Sequence, residues 1–221
     1  MPTRRFLLID DHESVVAGLM PGLQQRYPDA EMITAKDART AEVILLSKSP
    51  VFVLVDLILP AEPSPIGERL PATTRTGLLL LEHIMRGALA PNLMVLSVDI
   101  NPLIRLKSEI DGYQGGFVAV NKAESLQDIL TTVEIAMRGS IYLPPEVRAR
   151  PEFDARWLRV LTLKYVDGLS DRAIALEMGI TDRTVRNYWS RIQDALGVYD
   201  DSLKDTRIQI QQAAKRVGLI P

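Results

Sequence analysis

A buried strand that ends at a carboxylate is the feature that most constrains how this chain can fold. Residues 51–60 read VFVLVDLILP, and the five apolar residues before Asp56 include three valines. A continuous apolar run rich in β-branched residues is typical of a strand in a parallel sheet covered by helices on both faces. Ligands of such sheets bind at the carboxyl ends of the strands. Asp56 is therefore the first candidate for a reactive group.

Four more apolar segments predict strands, at residues 6–9, 31–35, 93–98 and 117–120. Helical patterns follow the five strands at residues 14–27, 38–46, 77–85, 101–110 and 125–137. Strand and helix alternating in this way predict an α/β fold with a doubly wound, five-stranded parallel sheet and right-handed crossovers.

The length of 221 residues and a hydrophobic fraction of 47% allow two domains with separate cores. Gly139, Ser140 and the pair Pro144 and Pro145 indicate a boundary. We expect a first domain at residues 1–137, a linker at 138–153 and a second domain at 154–221.

The chain contains no cysteine, which excludes disulfides and cysteine-bound zinc. The N-terminal apolar run has only four residues before two acids interrupt it, too few for a signal peptide or a membrane span. We expect a cytoplasmic protein with no membrane partner.

Polar side chains follow four of the predicted strands, where the topology brings them to one edge of the sheet. They are Asp10 and Asp11, Asp56, Ser97 and Lys122. Carboxylates close together favour a hard cation such as Mg²⁺, and a cation, a lysine and a hydroxyl together suit phosphoryl transfer to a carboxylate nucleophile. Taken singly, each has a simpler interpretation: Asp10 as a helix cap, Lys122 as a surface charge, Ser97 as a turn residue.

The motifs IDDH at 9–12, DLILP at 56–60, LSV at 96–98 and NK at 121–122 resemble the receiver domain of bacterial two-component response regulators, a flavodoxin-like fold. The resemblance implies that a histidine kinase phosphorylates Asp56. It also implies that Asp11, Asp56 and the carbonyl of Ile58 bind Mg²⁺, with Asp10 acting through water. Ser97 and Lys122 would contact the phosphoryl group.

Two features depart from that family. Residues 61–76 form a long polar insertion after the nucleophile strand, either a tolerated surface loop or a segment that covers Asp56 or meets a partner. Ala119 occupies the position of the usual switch aromatic, and Phe117 lies two residues earlier on the same face of the strand. The apolar Ile58 predicts slow loss of phosphate.

The C-terminal part has only helical patterns. Trp157, Val160, Leu161 and Tyr165 mark one amphipathic helix. Ser170 and Thr181 are N-caps of two further helices separated by Gly179, which predicts a helix-turn-helix. A last helix is predicted at 206–217.

The second helix of this motif carries side chains suited to DNA: Arg183, Thr184, Arg186, Asn187, Ser190 and Arg191. A solvated amphipathic helix is the simpler alternative. Residues 154–221 carry 11 basic and 9 acidic residues, whereas residues 1–137 carry 12 and 17, so the charge balance permits a DNA partner without requiring one.

Residues 168–198 closely resemble the LuxR-type effector domain of NarL/FixJ-class response regulators, a small all-α domain. The resemblance implies that Arg186 and Asn187 read bases, that Ser170, Thr184 and Arg191 contact phosphates, and that the last helix forms dimers. The whole chain is thus interpreted as a transcriptional response regulator that is not an enzyme, with a histidine kinase, promoter DNA and a second copy as partners.

Two alternatives remain compatible with the sequence. One is a regulator of the same build whose receiver senses a ligand or a protein partner without phosphorylation, as the insertion and Ala119 suggest. The other is a phosphohydrolase with an aspartyl-phosphate intermediate, which is disfavoured because Leu57, Ile58 and Leu59 follow Asp56 where a second carboxylate is needed.

Overall fold

The computed structural model describes residues 4–63, 71–148, 153–198 and 205–221. The chain divides into two compact units: the first spans residues 1–148 apart from the segment 101–107, which groups with residues 149–221 in the second. Across the described ranges, no helix is long and apolar enough to cross a lipid bilayer.

The first unit contains a parallel sheet with the strand order β2-β1-β3-β4-β5-β6. The strands are β1 (Arg4–Ile9), β2 (Ala30–Ala35), β3 (Phe52–Val55), β4 (Asn92–Ser97), β5 (Phe117–Asn121) and β6 (Ile141–Tyr142). The helices of this unit are α1 (Glu13–Arg26), α2 (Ala38–Lys48), α3 (Thr74–Arg86), α4 (Lys107–Asp111, continued from the second unit), α5 (Leu126–Met137) and α6 (Pro145–Arg148). The predicted doubly wound α/β fold is confirmed.

Both faces of the central strands are buried, as the apolar runs predict. On one face, Phe6, Leu54 and Met94 share a core with Leu23 of α1 and Val133 of α5. The residues that alternate with them, such as Leu7, Val53 and Val95, are also fully buried. Asp56 therefore follows a strand that is held rigidly from both sides.

The predicted number of five strands is wrong by one. Residues Ile141 and Tyr142, assigned to the linker, pair in parallel with Phe117 and Val118 of β5. A two-residue strand is too short to show an alternating pattern, so its sequence signal is only the apolar character of Ile141 and Tyr142.

The third helix begins at Thr74, three residues before the predicted start at Gly77. Thr73 caps it by accepting a hydrogen bond from the backbone N–H of Thr76. A Cβ at Gly77 would lie 2.2 Å from the carbonyl oxygen of Leu57, so the helix can approach the segment after Asp56 only because this residue is glycine. The insertion is correspondingly shorter, and its residues 64–70 lie outside the described part of the chain.

The segment predicted to be helical at 101–110 is helical, and it consists of two parts. Residues Asn101–Leu106 form a 3₁₀ helix, and only Lys107–Asp111 is α-helical. Leu103, Ile104 and Leu106 are all buried. Burial on nearly every side distinguishes this segment from an amphipathic α-helix with a single apolar stripe.

The second unit contains α7 (Ala155–Tyr165), α8 (Asp171–Glu177), α9 (Asp182–Leu196) and α10 (Thr206–Arg216). Ser170 and Thr181 cap α8 and α9 through their side chains, and Gly179 turns the chain between them with φ of 64°. Val160, Ile174, Val185 and Ile210 join the four helices in one core. The predicted helix-turn-helix is confirmed, although the stretch 199–204 before α10 is not among the described residues.

Candidate functional site

Strand register brings the first two carboxylates together. Ile9 of β1 pairs with Val55 of β3, and the N–H of Asp56 donates to the carbonyl of Ile9 at 2.9 Å. Asp10 and Asp56 directly follow these two neighbouring strands and therefore lie side by side. Both are almost completely buried, with exposed fractions of 1% and 2%.

Lys122 lies between these carboxylates. It follows β5, and its Nζ is 2.6 Å from Oδ2 of Asp56 and 2.7 Å from Oδ2 of Asp10. Burial lowers the pKa of Lys122, but its hydrogen bonds and charge interactions with Asp10 and Asp56 outweigh burial and raise the pKa above its ordinary value. The site thus contains a permanent positive charge at neutral pH.

The remaining oxygens of the two aspartates order the loops that follow them. Oδ1 of Asp56 accepts from the N–H of Ile58 at 3.1 Å, and Oδ1 of Asp10 accepts from the N–H of His12 at 2.9 Å. His12, not Asp10, is the N-cap residue of α1, and the cap makes no side-chain hydrogen bond. The simpler interpretation of Asp10 as a helix cap does not apply.

Asp10, Asp11, His12 and Asp56 form a cluster whose candidate ligand atoms lie within 4.8 Å of one another. The Nδ1 atom of His12 is 2.9 Å from Oδ1 of Asp11. The cluster contains three carboxylates, of which Lys122 pairs with Asp10 and Asp56, and a hard divalent cation with oxygen ligands would offset the excess negative charge. The donor set therefore fits Mg²⁺. His12 has no predicted role, although its place beside two aspartates in the sequence was a usable signal.

Ser97 ends β4, and its backbone carbonyl accepts from the N–H of Lys122 at 3.0 Å. The side chain is fully buried, and its Oγ has no hydrogen-bond partner within the described ranges. An unpaired buried hydroxyl is unfavourable. The described residues therefore leave this hydroxyl without a partner, and its contact with a phosphoryl group stays a prediction.

A cavity of about 520 Å³ opens at this end of the sheet. It is lined by Asp11, His12, Asp56, Ile58, Pro71, Ala72, Val98 and Lys122. Pro71 and Ala72 belong to the predicted insertion, so its C-terminal end borders the space in front of Asp56.

Ala119 is fully buried in the middle of β5 and faces a second cavity, of about 470 Å³, which Tyr142 and Pro144 also line. Phe117 is fully buried at the first residue of the same strand, at the end opposite to Lys122. Its packing is that of a core residue, and it lies far from the cluster at the carboxyl end.

The α9 helix has one buried and one exposed face. Val185, Trp189 and Ile192 point into the core. Five of the residues predicted to bind DNA are exposed: Arg183, Arg186, Asn187, Ser190 and Arg191. In the parts of the chain that are described, none of these three arginines forms a salt bridge, so their charges are not neutralised by neighbouring carboxylates.

The other two predicted DNA contacts also serve as or support helix caps. Thr184 is half-buried, and its Oγ1 lies 3.0 Å from Oγ1 of the N-cap Thr181. Ser170 is exposed, and its Oγ accepts from the N–H of Ala173. Both hydroxyls thus lie at helix N-termini, where backbone N–H groups favour anions such as phosphates.

Sequence comparison matches residues 159–192 with the family described as sigma-70, region 4, a helix-turn-helix module. The chain is 23% identical over 208 residues to the transcriptional regulatory protein YdfI of Bacillus subtilis (strain 168). The aligned region covers 87% of this chain and 89% of YdfI.

Two solved structures are similar over nearly the whole chain. RcsB from Salmonella enterica serovar Typhimurium, bound to promoter rprA in the presence of phosphomimetic BeF3⁻, has a TM-score of 0.58 at 19% identity, covering 97% of this chain and 99% of that one. A complex of the two-component response regulator RcsB with DNA has a TM-score of 0.58 at 18% identity, covering 96% and 98%. At this level of identity the similarity concerns the fold, and it includes both units.

Proposed function

We propose that this chain, a response regulator by its receiver-plus-helix-turn-helix architecture, accepts phosphate on Asp56 and thereby controls its binding to promoter DNA. The observation that carries the proposal is the position of Lys122, whose ammonium lies 2.6 Å from Asp56 and 2.7 Å from Asp10 beside a third carboxylate. This is the arrangement of charges that phosphoryl transfer to a carboxylate needs.

In the proposed reaction, an oxygen of Asp56 attacks the phosphorus of a phosphohistidine on a partner kinase. A P–O bond forms as the P–N bond breaks, and the ring, already protonated on its other nitrogen, takes the electron pair and leaves as neutral imidazole. Lys122 neutralises charge on the phosphoryl oxygens, and the Oγ of Ser97 donates a hydrogen bond to one of them.

Asp11, Asp56 and the carbonyl of Ile58 would hold Mg²⁺, with Asp10 nearby. When bound, the ion would neutralise charge on the phosphoryl group during transfer. Asp10 and Lys122 form an ion pair that holds the lysine in place, while Asp11 is directed to the cavity and has a more accessible side chain.

For the second unit, we propose that α9 enters the major groove of DNA. Arg186 and Asn187 would read base edges, and Arg183, Ser190 and Arg191 on the same exposed face would extend the contact. Ser170, Thr184 and Arg191 would hold phosphates. The RcsB complexes named above contain DNA. Another similar structure contains two RcsB dimers bound to two parallel DNAs. Its TM-score is 0.56 at 18% identity, covering 96% of this chain and 98% of that one. We extend both features, DNA and a homodimer, to this chain.

One observation favours a variant of this function in which phosphate is not the signal. Ala119 lines a cavity of about 470 Å³ beside β5, together with Tyr142 and Pro144. A receiver that senses a ligand or a protein partner would use such a space. The phosphohydrolase alternative has no comparable support, because Leu57 and Leu59 are fully buried apolar residues.

The proposal is tested by exposing the full chain to acetyl phosphate and Mg²⁺ and locating the added phosphate by mass spectrometry. We expect one phosphate on Asp56, none on the Asp56→Asn variant, and normal labelling of Asp29→Asn, a matched change at an exposed aspartate. Phosphate elsewhere, or none at all on the folded wild-type protein, would contradict the receiver part of the proposal.

A further inference from the structure

Arg207, in the first turn of α10, contacts α7, α8 and α9. Its guanidinium carbon lies 3.8 Å from the centre of the Trp189 ring on α9. Its Nη2 donates to Oδ2 of Asp171 on α8 at 2.9 Å, and its backbone carbonyl accepts from the hydroxyl of Tyr165 on α7 at 2.7 Å. We infer that Arg207 is a positioning residue that sets the orientation of α9, and with it the affinity for DNA; the inference rests on the proposed DNA binding.

The position of Arg207 is itself determined locally. Asp205 caps α10 and accepts hydrogen bonds from the backbone N–H groups of Arg207 and Ile208, at 2.8 and 3.2 Å. Because the cap holds the first turn in place, the long side chain extends from a defined point to α8 and α9. The guanidinium can stack on an aromatic ring and pair with a carboxylate at the same time, which a lysine cannot do with its single nitrogen.

Trp189 is the residue of α9 that Arg207 contacts. Its ring is 4% exposed, packs edge-on against Tyr165 at 5.9 Å between ring centres, and has the guanidinium of Arg207 on its face. Within the described ranges, the indole Nε1 has no hydrogen-bond partner. The rotation of the ring is therefore set by these packing contacts and by the cation, not by a polar bond of its own.

Trp189 lies on the buried face of α9, next to residues of its exposed face. Ser190 follows it, and Arg186 precedes it by three residues, on the adjoining face. Turning α9 about its axis would move both of these side chains relative to a groove. A small misplacement of base-reading groups is sufficient to weaken recognition, because their hydrogen bonds are directional.

The contact between Arg207 and Asp171 lies next to Ser170, which is predicted to contact a DNA phosphate. Asp171 is the first residue of α8 and follows its N-cap, Ser170. Arg207 and Lys164 both lie near this carboxylate, at 2.9 and 3.7 Å. Arg207 thus fixes the spacing between the N-terminus of α8 and the middle of α9, the two places where we propose contacts with DNA.

The test uses Arg207→Met, which keeps an apolar stem but removes the charge, and measures affinity for duplexes selected from a random-sequence pool with the wild-type protein. We expect affinity to fall about tenfold, with Arg207→Lys in between. Arg159→Ala, which removes the same charge from an exposed position on α7, outside the helices proposed to bind DNA or to form dimers, should bind as wild type does.

Two readouts separate positioning from other roles. If Arg207 contacted a phosphate, its loss would reduce the slope of log affinity against log salt by about one, as we expect for Arg191→Ala; a positioning residue leaves the slope unchanged. If the substitution only unfolded part of the sample, titration would show fewer active molecules with unchanged affinity.

A third readout does not need DNA. With Trp157→Phe, Trp189 is the sole tryptophan of the two in the chain, and its fluorescence should change when Arg207→Met is added. If Arg207→Met does not fold, Trp189→Phe carries the test, with weaker binding and a wild-type salt slope expected. Wild-type affinity and unchanged fluorescence for the folded variants would overturn the inference, whereas failure of the wild-type protein to select any duplex would instead overturn the proposed DNA binding.

Discussion

The ammonium nitrogen of Lys122 lies 2.6 Å from Oδ2 of Asp56. The two residues are 66 positions apart in the chain and meet only because β3 and β5 end at the same edge of the sheet. The exposed fractions of the two side chains are 12% and 3%, so solvent screens the pair only weakly. The same pair of residues therefore contributes to the stability of the fold and to the proposed chemistry.

Replacing Lys122 with Met should destabilise the protein by about 3 kcal/mol, because it leaves Asp10 and Asp56 buried without their shared counter-charge. Adding Mg²⁺ should restore part of the loss. Urea denaturation with and without Mg²⁺ measures both effects. Lys36→Met, which breaks an exposed pair with Glu13, is the control and should change stability by less than about 1 kcal/mol. Equal loss for the two variants would show that burial of the Lys122 pair has no consequence.

The stability due to Lys122 should be constant from neutral to moderately alkaline pH. Its pKa is raised in the folded state, so the charged form is favoured by folding and this contribution is complete below the ordinary lysine pKa. It is lost only as pH rises through the raised value. Urea denaturation gives the difference in unfolding free energy between wild type and Lys122→Met, and this difference should be the same at pH 7 and at pH 9. A markedly smaller difference at pH 9 would contradict a raised pKa for Lys122.

Asp11→Asn should weaken Mg²⁺ binding while leaving the Lys122 pair intact, because Asp11 belongs to the carboxylate cluster but not to that pair. The rise in melting temperature on adding Mg²⁺ measures the effect through linkage. We expect a smaller rise for Asp11→Asn than for the wild-type protein and for Asp29→Asn. An equal rise in all three would exclude Asp11 as a ligand.

Phosphate on Asp56 should be lost slowly because Ile58, which lines the same cavity, offers no polar group to align a water molecule. Ile58→Asn should speed hydrolysis by at least about tenfold. The decay of phosphorylated protein after removal of the phosphate donor gives both rates. Rapid decay in the wild-type protein, within seconds, would contradict the role given to Ile58.

Arg186→Ala should weaken DNA binding by about 1–3 kcal/mol and relax the preference at one base position. Its side chain is exposed on α9 and has no salt bridge within the described ranges, so the loss is not expected to affect folding. Selection of duplexes by the variant reveals the preference. Arg159→Ala, on the exposed surface of α7, should leave both affinity and preference unchanged.

Local patterns account for the parts of the fold that the sequence predicts well. The apolar run before Asp56 and the caps Ser170 and Thr181 each act within a few residues. The convergence of Asp10, Asp56 and Lys122 also follows from the sequence, because the strand order of a doubly wound sheet determines which ends meet.

The missed features depend on contacts between distant segments. The strand β6 is two residues long and exists through its pairing with β5. The contact of Arg207 with Trp189 joins α10 to α9 and has no periodic signal in the sequence. The early start of α3 is a partial exception, since Thr73 is a recognisable cap. The prolines and small residues of the insertion favour an irregular segment, and this signal outweighs the cap at Thr73 in a prediction from sequence.

Phosphate on Asp56 is expected to change DNA binding, and a comparison with Asp56→Asn tests this. The affinities of wild type and Asp56→Asn for a selected duplex are measured with and without acetyl phosphate and Mg²⁺. We expect the phosphate donor to raise the affinity of the wild-type protein and to leave that of Asp56→Asn unchanged. Equal affinity in all four conditions would contradict the claim and favour a receiver that responds to another signal.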